Sequence, residues 1–282
     1  MKNFKIGGVP EHFNLPWYIT LKNKEYQQEG INLRWIDYHG GTGDMCKALR
    51  EGEIDMAVIL TEGIIRDIVN GNPSKIVQGF IQSPLIWGIH VAENSAYQTI
   101  DHLKGTACAI SRYGSGSHLM AYVNAENEGW DLEKDLNFEV IKSLEGALEE
   151  LPKGNGDYFM WEKFTTKPYV DDGPFRRVGE CPTPWPCFVI AVRDKVLQED
   201  ALSINTILEI INRTTAEFKD IPSIDRMISN RYQQKLEDVQ QWLSLTQWSQ
   251  QQLTSTEVSR VQKKLVQLEL ITKEVPLARI LR

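Results

Sequence analysis

The sequence predicts an α/β protein in which mainly parallel sheets are flanked by helices. The clearest pattern lies in residues 33–63: segment 33–38 alternates like a strand, glycines follow it at 40–43, and apolar residues then recur at helical spacing from Met45. A short apolar run over 55–60 is typical of a strand that is covered on both faces. The repetition of this strand–turn–helix unit along the chain predicts parallel sheets with helices on both sides.

The same pattern extends over most of the chain. Further strands are predicted at 4–9, 76–82, 106–110, 138–141, 157–161 and 175–179. Further helices are predicted at 15–21, from Thr61, at 118–127, 144–151, 202–218, 222–231, 236–243 and 255–270. The glutamine-rich stretch 247–252 is interpreted as a polar junction between two of these helices.

Two lobes are predicted from the length and from a change in the pattern. A chain of 282 residues exceeds the usual size of a single core. The extended run 84–91 follows the previous strand with almost no gap, and strand 188–192 is interpreted as the return crossing. The predicted division is therefore 1–86 with 190–282 as lobe 1 and 87–189 as lobe 2, joined by two crossing strands.

Charge and hydropathy exclude several classes of function. The net charge of −7 argues against a nucleic-acid surface, which needs clustered lysines and arginines. No apolar run reaches the roughly 18 residues that a membrane span requires. The first residues contain neither the apolar core nor the cleavage site of an export signal. We expect a cytoplasmic protein, or a periplasmic one if a leader preceded the first residue.

Motifs for catalysis and for metal binding are missing from the sequence. It contains no GxSxG, HExxH, Walker A or GxGxxG pattern, so no catalytic residue and no cofactor are predicted. Zinc spacing of the CxxC type is also missing, and no metal site is predicted. Cys46 and Cys108 are expected to be buried, whereas Cys181 and Cys187 flank a proline-rich turn and are close enough to form a disulfide in an oxidising compartment.

Two glycine-containing turns are candidate ligand sites because each leads into a helix. Gly41, Thr42 and Gly43 form the turn in the first lobe, and Gly114, Ser115, Gly116 and Ser117 form the turn in the second lobe. Helix N-termini present unpaired N–H groups that suit an anion or a polar heteroatom. The alternative is that these glycines only make tight turns. Their matching places in the two lobes favour a ligand.

Other candidates lie in or next to predicted strands, and most of them are charged or aromatic. They are Pro10, Glu11, His12, Phe13, Thr61, Glu62, Trp87, Arg112, Tyr113, Trp161 and Glu162. The three glutamates favour a ligand with donor groups, although each is also explained as a helix-start acid. The guanidinium group of Arg112 suits a bound anion, and a structural ion pair within the protein explains it equally well. The tryptophans, together with Trp185, suit either a planar ligand or hinge and core packing.

The motifs resemble those of type II periplasmic binding proteins, and most of all the NMT1/THI5-like branch with the sulfonate and nitrate-type solute receptors. The resemblance rests on GGVPEHF, GGTGDMCKALREGEIDMAVILTEG, HLKGTACAISRYGSGSHLMAY and DYFMWEKF, and it covers nearly the whole chain. The ISRYGSGSHLMAY stretch is similar to a small subfamily with members in bacteria and fungi. The resemblance implies two lobes that close on a ligand in the cleft between them.

The resemblance implies a non-enzymatic, monomeric receptor for a small molecule: an anion, a carboxylate, a sulfonate or an aminopyrimidine-like heterocycle. Such a receptor delivers its ligand to an ABC permease, or works inside the cell as a homologue. The alternative is an enzyme of thiamin-pyrimidine precursor metabolism from the same branch. That enzyme carries a CCCFC-type motif, and this sequence has no such cluster.

Overall fold

The computed structural model describes all 282 residues and consists of two compact units. Unit 1 contains Met1–Ser83 and Trp185–Arg282, and unit 2 contains Pro84–Pro184. The boundaries predicted from the sequence, 86/87 and 189/190, lie a few residues further along the chain.

Ten strands and twelve α-helices make up the two units. The strands are β1 (Lys2–Gly8), β2 (Ile31–Asp37), β3 (Met56–Leu60), β4 (Ser74–Ile81), β5 (Ile86–Ala92), β6 (Ala107–Ile110), β7 (Asn137–Val140), β8 (Tyr158–Glu162), β9 (Phe175–Pro182) and β10 (Phe188–Arg193). The helices are α1 (Leu15–Lys22), α2 (Glu25–Gln28), α3 (Thr42–Glu51), α4 (Thr61–Val69), α5 (Gly116–Asn127), α6 (Leu144–Glu150), α7 (Lys167–Asp171), α8 (Asp194–Ala216), α9 (Ile224–Tyr232), α10 (Leu236–Leu245), α11 (Ser255–Gln267) and α12 (Leu277–Ile280). Short 3-10 helices occupy His12–Asn14, Ile100–Leu103, Leu151–Lys153 and Phe218–Asp220.

Each unit contains one five-stranded sheet, and the two sheets share one topology. The order is β2-β1-β3-β10-β4 in unit 1 and β7-β6-β8-β5-β9 in unit 2. The fourth strand of each order is antiparallel to both of its neighbours. This strand, β10 or β5, is the first one after the chain changes units. The predicted fold class, mainly parallel sheets flanked by helices, is confirmed.

The central strands are apolar along their length because both faces of each sheet are covered. In unit 1 Ile6, Val58 and Ile190 come from three adjacent strands and are fully buried. In unit 2 an apolar cluster joins Ala109 of β6 and Phe159 of β8 to residues of the flanking elements. Burial of these side chains provides the main stabilisation of each sheet.

The glutamine-rich stretch has a structural role that the sequence did not predict. It lies between α10 and α11 and pairs with the outer edge of β4. The Ser249 N–H donates to the Phe80 carbonyl at 2.9 Å, and the Gly79 N–H donates to the Gln251 carbonyl at 2.8 Å. An exposed strand edge is a template for aggregation, so this segment protects the sheet.

Several helix boundaries differ from the prediction. Helix α8 begins at Asp194, earlier than the predicted 202, and it contains a kink at Asp200. Helix α5 begins at Gly116, so Gly116 and Ser117 belong to its first turn and not to the preceding loop. The short helices α2 and α7 were not predicted, since so few residues show little helical periodicity.

All four cysteines are buried, and no disulfide joins any of them. The disulfide between Cys181 and Cys187 that the sequence allowed is therefore not formed. None of the helices has both the length and the hydropathy of a membrane-spanning segment.

Candidate functional site

The predicted residues of unit 1 gather at one edge of its sheet. Strands β1, β2 and β3 are parallel, so the segments that follow them begin at the same edge. These segments are the turn Pro10–Phe13, the start of α3 and the start of α4. Because β10 is antiparallel, residues 185–187 lead into it from this edge.

The starts of α3 and α4 are packed against each other. Gly41 precedes α3 with φ 68° and ψ −149°, a conformation that favours glycine. A Cβ atom on Gly63, the third residue of α4, would lie only 2.3 Å from Cγ2 of Thr42. Two helix N-termini, with Gly41, Thr42 and Gly43 at one of them, therefore share this part of the edge.

Thr61 holds the start of β10 in place. Its hydroxyl donates to the carbonyl of Pro186 at 2.6 Å and lies 3.2 Å from that of Cys187. Its backbone N–H donates to the Cys187 carbonyl at 3.1 Å. The side chain is fully buried, so both of its donors act inside unit 1.

Glu62 is a buried carboxyl group with one satisfied oxygen. Only 2% of the residue is exposed. The indole N–H of Trp185 donates to Oε2 at 2.8 Å, whereas Oε1 has no hydrogen-bond partner. Burial raises the pKa of Glu62 to about 7, opposed by hydrogen bonds from its own backbone and from Trp185.

His12 and Phe13 pack into an aromatic cluster of unit 1. The rings of both lie against Trp242, with centroids at 4.3 Å for His12 and 5.2 Å for Phe13. Burial lowers the pKa of His12 to about 3, so the ring is neutral at pH 7. The neighbouring Pro10 and Glu11 are half-buried, and the Glu11 carbonyl accepts a hydrogen bond from the hydroxyl of Tyr232 at 3.2 Å.

The serine-rich turn of unit 2 is held by its own side chains. Oγ of Ser117 accepts the N–H of Ser111 at 3.0 Å and lies 3.0 Å from Oγ of Ser115. Oγ of Ser115 also caps α5 by accepting the N–H of His118 at 3.3 Å. These hydroxyl groups shape the N-terminus of α5.

Other residues of this turn point outward or support it. Arg112 is exposed, and Tyr113 is 65% exposed with its ring edge-on to His118 at 5.3 Å. The N–H of Gly114 donates to Nδ1 of His118 at 3.0 Å, and Gly114 adopts φ 75°. Gly116 is half-buried at the first position of α5.

Trp87 and Glu162 lie side by side in unit 2. They are paired residues of the antiparallel strands β5 and β8. Both are buried, and the indole N–H of Trp87 has no partner. Oε2 of Glu162 accepts the N–H of Thr165 at 2.6 Å. Burial raises the pKa of Glu162, partly offset by backbone hydrogen bonds and Arg177. Trp161 is half-buried and stacks on Phe159 at 5.4 Å.

The structure reveals two relations that sequence reasoning missed. The first is the hydrogen bond between Glu62 and Trp185, residues far apart in the chain. The sequence suggested Trp185 either as an aromatic wall for a planar ligand or as hinge and core packing. The second is an equivalence between the units. Glu62 follows β3 and Glu162 ends β8, and both strands are third in their sheets. In the sequence, this equivalence is indicated only by a comparison of the strand-to-helix turns of the two lobes.

Comparison with known proteins identifies the fold. The sequence model of the family described as Ca3427-like PBP matches residues 87–181, within unit 2. The structure of the Candida albicans CA3427 gene product, described as exhibiting the generic periplasmic binding protein fold, matches with a TM-score of 0.88. The chain has the periplasmic-binding-protein fold. The identity is 23%, and the match covers 98% of this chain and 92% of that one.

Two sulfonate-binding proteins have the same periplasmic-binding-protein fold. The alkanesulfonate-binding SsuA of Xanthomonas axonopodis pv. citri, bound to MOPS, matches 100% of this chain and 99% of its own at TM-score 0.83 and 16% identity. The aliphatic sulphonate-binding SsuA of Escherichia coli matches 100% and 92% at TM-score 0.78 and 16% identity. No curated protein sequence matches the chain. The predicted resemblance to type II periplasmic binding proteins of the sulfonate type is thus confirmed in the fold, and the NMT1/THI5 branch stays a prediction.

Proposed function

We propose that the chain binds a small polar or planar solute, as the substrate-binding protein of an ABC importer or as a homologue inside the cell. The observation that carries this proposal is the presence of buried polar atoms without partners at the corresponding edges of the two sheets. They include Oε1 of Glu62 in unit 1 and Nε1 of Trp87 in unit 2. Buried polar atoms are nearly always hydrogen-bonded, so a solute that supplies a donor and an acceptor would complete both.

Helix N-termini support the same proposal. The starts of α3 and α4 lie at this edge in unit 1, and the start of α5 lies at the corresponding edge in unit 2. Backbone N–H groups there suit an oxygen or a ring nitrogen of the solute. These features are compatible with an anion, a carboxylate, a sulfonate or an aminopyrimidine-like heterocycle.

Hinge closure is the mechanism that we propose for solute capture. A solute that contacts groups of both units favours the closed state by its differential affinity for that state. If the protein is exported, the closed complex would be the form presented to a permease. The monomeric state and the cellular compartment are part of this proposal.

A thermal-shift screen tests solute binding. The purified protein is heated with thiamin precursors, pyridoxal phosphate, sulfonates, nitrate, amino acids and polyamines. A solute at a hundredfold excess over its Kd should stabilise the folded protein by about 2.7 kcal/mol. Solute recovered unchanged after incubation supports a receptor, whereas converted solute supports the enzyme of precursor metabolism. The absence of a shift with every compound would contradict solute binding.

A further inference from the structure

The carboxyl group of Glu62 is oriented from one side only. Its Oε2 is held at 2.8 Å by the indole N–H of Trp185. Trp185 is itself 3% exposed, and it directly follows the point where the chain returns from unit 2. A buried ring thus holds Oε2, and the second oxygen, Oε1, is buried without a partner.

Nearby donors of the chain are used elsewhere. The hydroxyl of Thr61 donates to the carbonyl of Pro186, and its backbone N–H donates to the carbonyl of Cys187. Three influences act on the pKa of Glu62: burial, a hydrogen bond from its own backbone, and the hydrogen bond from the Trp185 side chain. No lysine or arginine is among them. Oε1 therefore receives no hydrogen bond from the chain.

The position of Glu62 also disfavours an anion. Glu62 is the second residue of α4, where a negative side chain balances the positive end of the helix dipole. A sulfonate or carboxylate arriving at this helix start would meet a carboxyl group instead of an uncompensated N-terminus. A donor group of the solute would meet a fixed acceptor.

We infer that Oε1 of Glu62 accepts a hydrogen bond from an N–H group of the solute, so that the solute is a small amine, an amidine or an amino-substituted heterocycle. This inference rests on the proposed solute-binding function and specifies its substrate class. It separates this chain from the two sulfonate-binding proteins with which it shares a fold. A site built around a buried acceptor discriminates strongly against compounds that lack the donor, because the acceptor is then left unpaired.

Calorimetric titration with matched probes tests the inference. The donor probes are benzamidine and 4-amino-2-methylpyrimidine, and the anionic probes are benzenesulfonate and ethanesulfonate. We expect at least one donor probe to bind about tenfold or more tightly than either sulfonate. The Glu62→Gln side chain has one amide oxygen and one NH2 group. Either the NH2 group faces the N–H of the solute, or it faces the indole N–H of Trp185, which then loses its acceptor. The Kd of this variant for that probe should rise by about tenfold or more.

Two further variants separate recognition from misfolding. Glu51→Gln removes a charge from an exposed residue of α3, and its Kd values should match the wild type. Trp185→Phe removes the N–H that orients Glu62, and it should weaken the donor probe while its circular dichroism spectrum stays unchanged. Circular dichroism of Glu62→Gln verifies that the variant is folded.

The outcomes distinguish the inference from the proposed function. Tight sulfonate binding that Glu62→Gln leaves unchanged or strengthens would overturn the inference and leave solute binding intact. Equal Kd values of wild type and Glu62→Gln for a donor probe would also overturn it. If none of the four probes binds and the wider thermal-shift screen gives hits only with anions, the inference fails and the proposed solute binding stands. If that screen gives no hit at all, the inference and the proposed solute-binding function both fail.

Discussion

Glu62 and Glu162 lie at the ends of strands that occupy the same place in their two sheets, yet their carboxyl groups are held differently. Glu162 is bound by the N–H of Thr165 within its own turn. Glu62 is held by Trp185, which lies far away in the sequence, and keeps one oxygen without a partner. Burial raises the pKa of both groups because it disfavours the charged form. The equivalence is thus one of position, and in Glu62 the second oxygen, Oε1, is buried without a partner.

At the residue scale, the raised pKa of Glu62 predicts a pH-dependent stability. Its pKa is about 7 in the folded protein, against the ordinary glutamate value of 4.5, which applies to the unfolded chain. The folded state binds the extra proton between these values, so the free energy of unfolding falls as pH rises from 4.5 to 7. Glu62→Gln removes this contribution. Its stability relative to the wild type should increase by about 2 kcal/mol between pH 5 and pH 8.

Urea unfolding of both ligand-free proteins at the two pH values measures this difference. Glu199→Gln is the matched control, because that glutamate is exposed in helix α8. Its stability should lie within about 0.5 kcal/mol of the wild type at both pH values. A constant difference between Glu62→Gln and the wild type would show that Glu62 titrates normally in the folded state.

At the scale of elements, glycines decide how closely helices approach their neighbours. Gly63 lets the start of α4 lie against Thr42, and Gly146 does the same for α6. A Cβ on Gly146 would lie 1.8 Å from the carbonyl oxygen of Ile141. That oxygen belongs to the backbone, so it cannot rotate away as a side chain does.

Replacement of Gly146 by alanine should therefore destabilise the protein. Glycine to alanine inside a helix normally stabilises by up to about 1 kcal/mol. Here the clash with Ile141 should reverse the sign and cost about 2 kcal/mol. Urea unfolding followed by circular dichroism measures the change, and Glu149→Ala on the exposed side of α6 is the control, expected within about 0.5 kcal/mol of wild type. A more stable Gly146→Ala protein would disprove the close contact.

At the scale of the whole molecule, two units with one topology present the same edge of their sheets as candidate ligand surfaces. Strand orders β2-β1-β3-β10-β4 and β7-β6-β8-β5-β9 place helix N-termini at the edge of each unit. The polar groups at these edges differ, with a buried acceptor in unit 1 and a buried indole donor in unit 2. Under the proposed function one solute would contact both groups, and its binding would then stabilise both units.

Hydrogen exchange tests this shared role. With the compound that gives the largest thermal shift, amide exchange should slow at the first turns of α3 and α4 in unit 1 and of α5 in unit 2. Exchange in the outer strand β7 serves as the internal control, because it lies at the far end of its sheet. Protection confined to a single unit would contradict a solute held by both.

The sequence by itself determined the fold class and most of the candidate residues. Helical and strand periodicities are local, so the pattern of 33–63 predicted two strands and two helix starts that the structure contains. The glycines before α3 and α5 and the acids after β3 and β8 were also visible, because parallel strands bring such turns to one edge. Their role as ligand contacts stays a prediction.

Tertiary structure alone decided which of these residues are open to a partner. His12 and Phe13 pack against Trp242. The hydroxyl of Thr61 is hydrogen-bonded to the carbonyls of Pro186 and Cys187. The hydrogen bond from Trp185 to Glu62 and the pairing of 247–251 with β4 join residues more than a hundred positions apart. No periodic pattern encodes such contacts, because they depend on how separate elements pack and on which buried donors and acceptors meet.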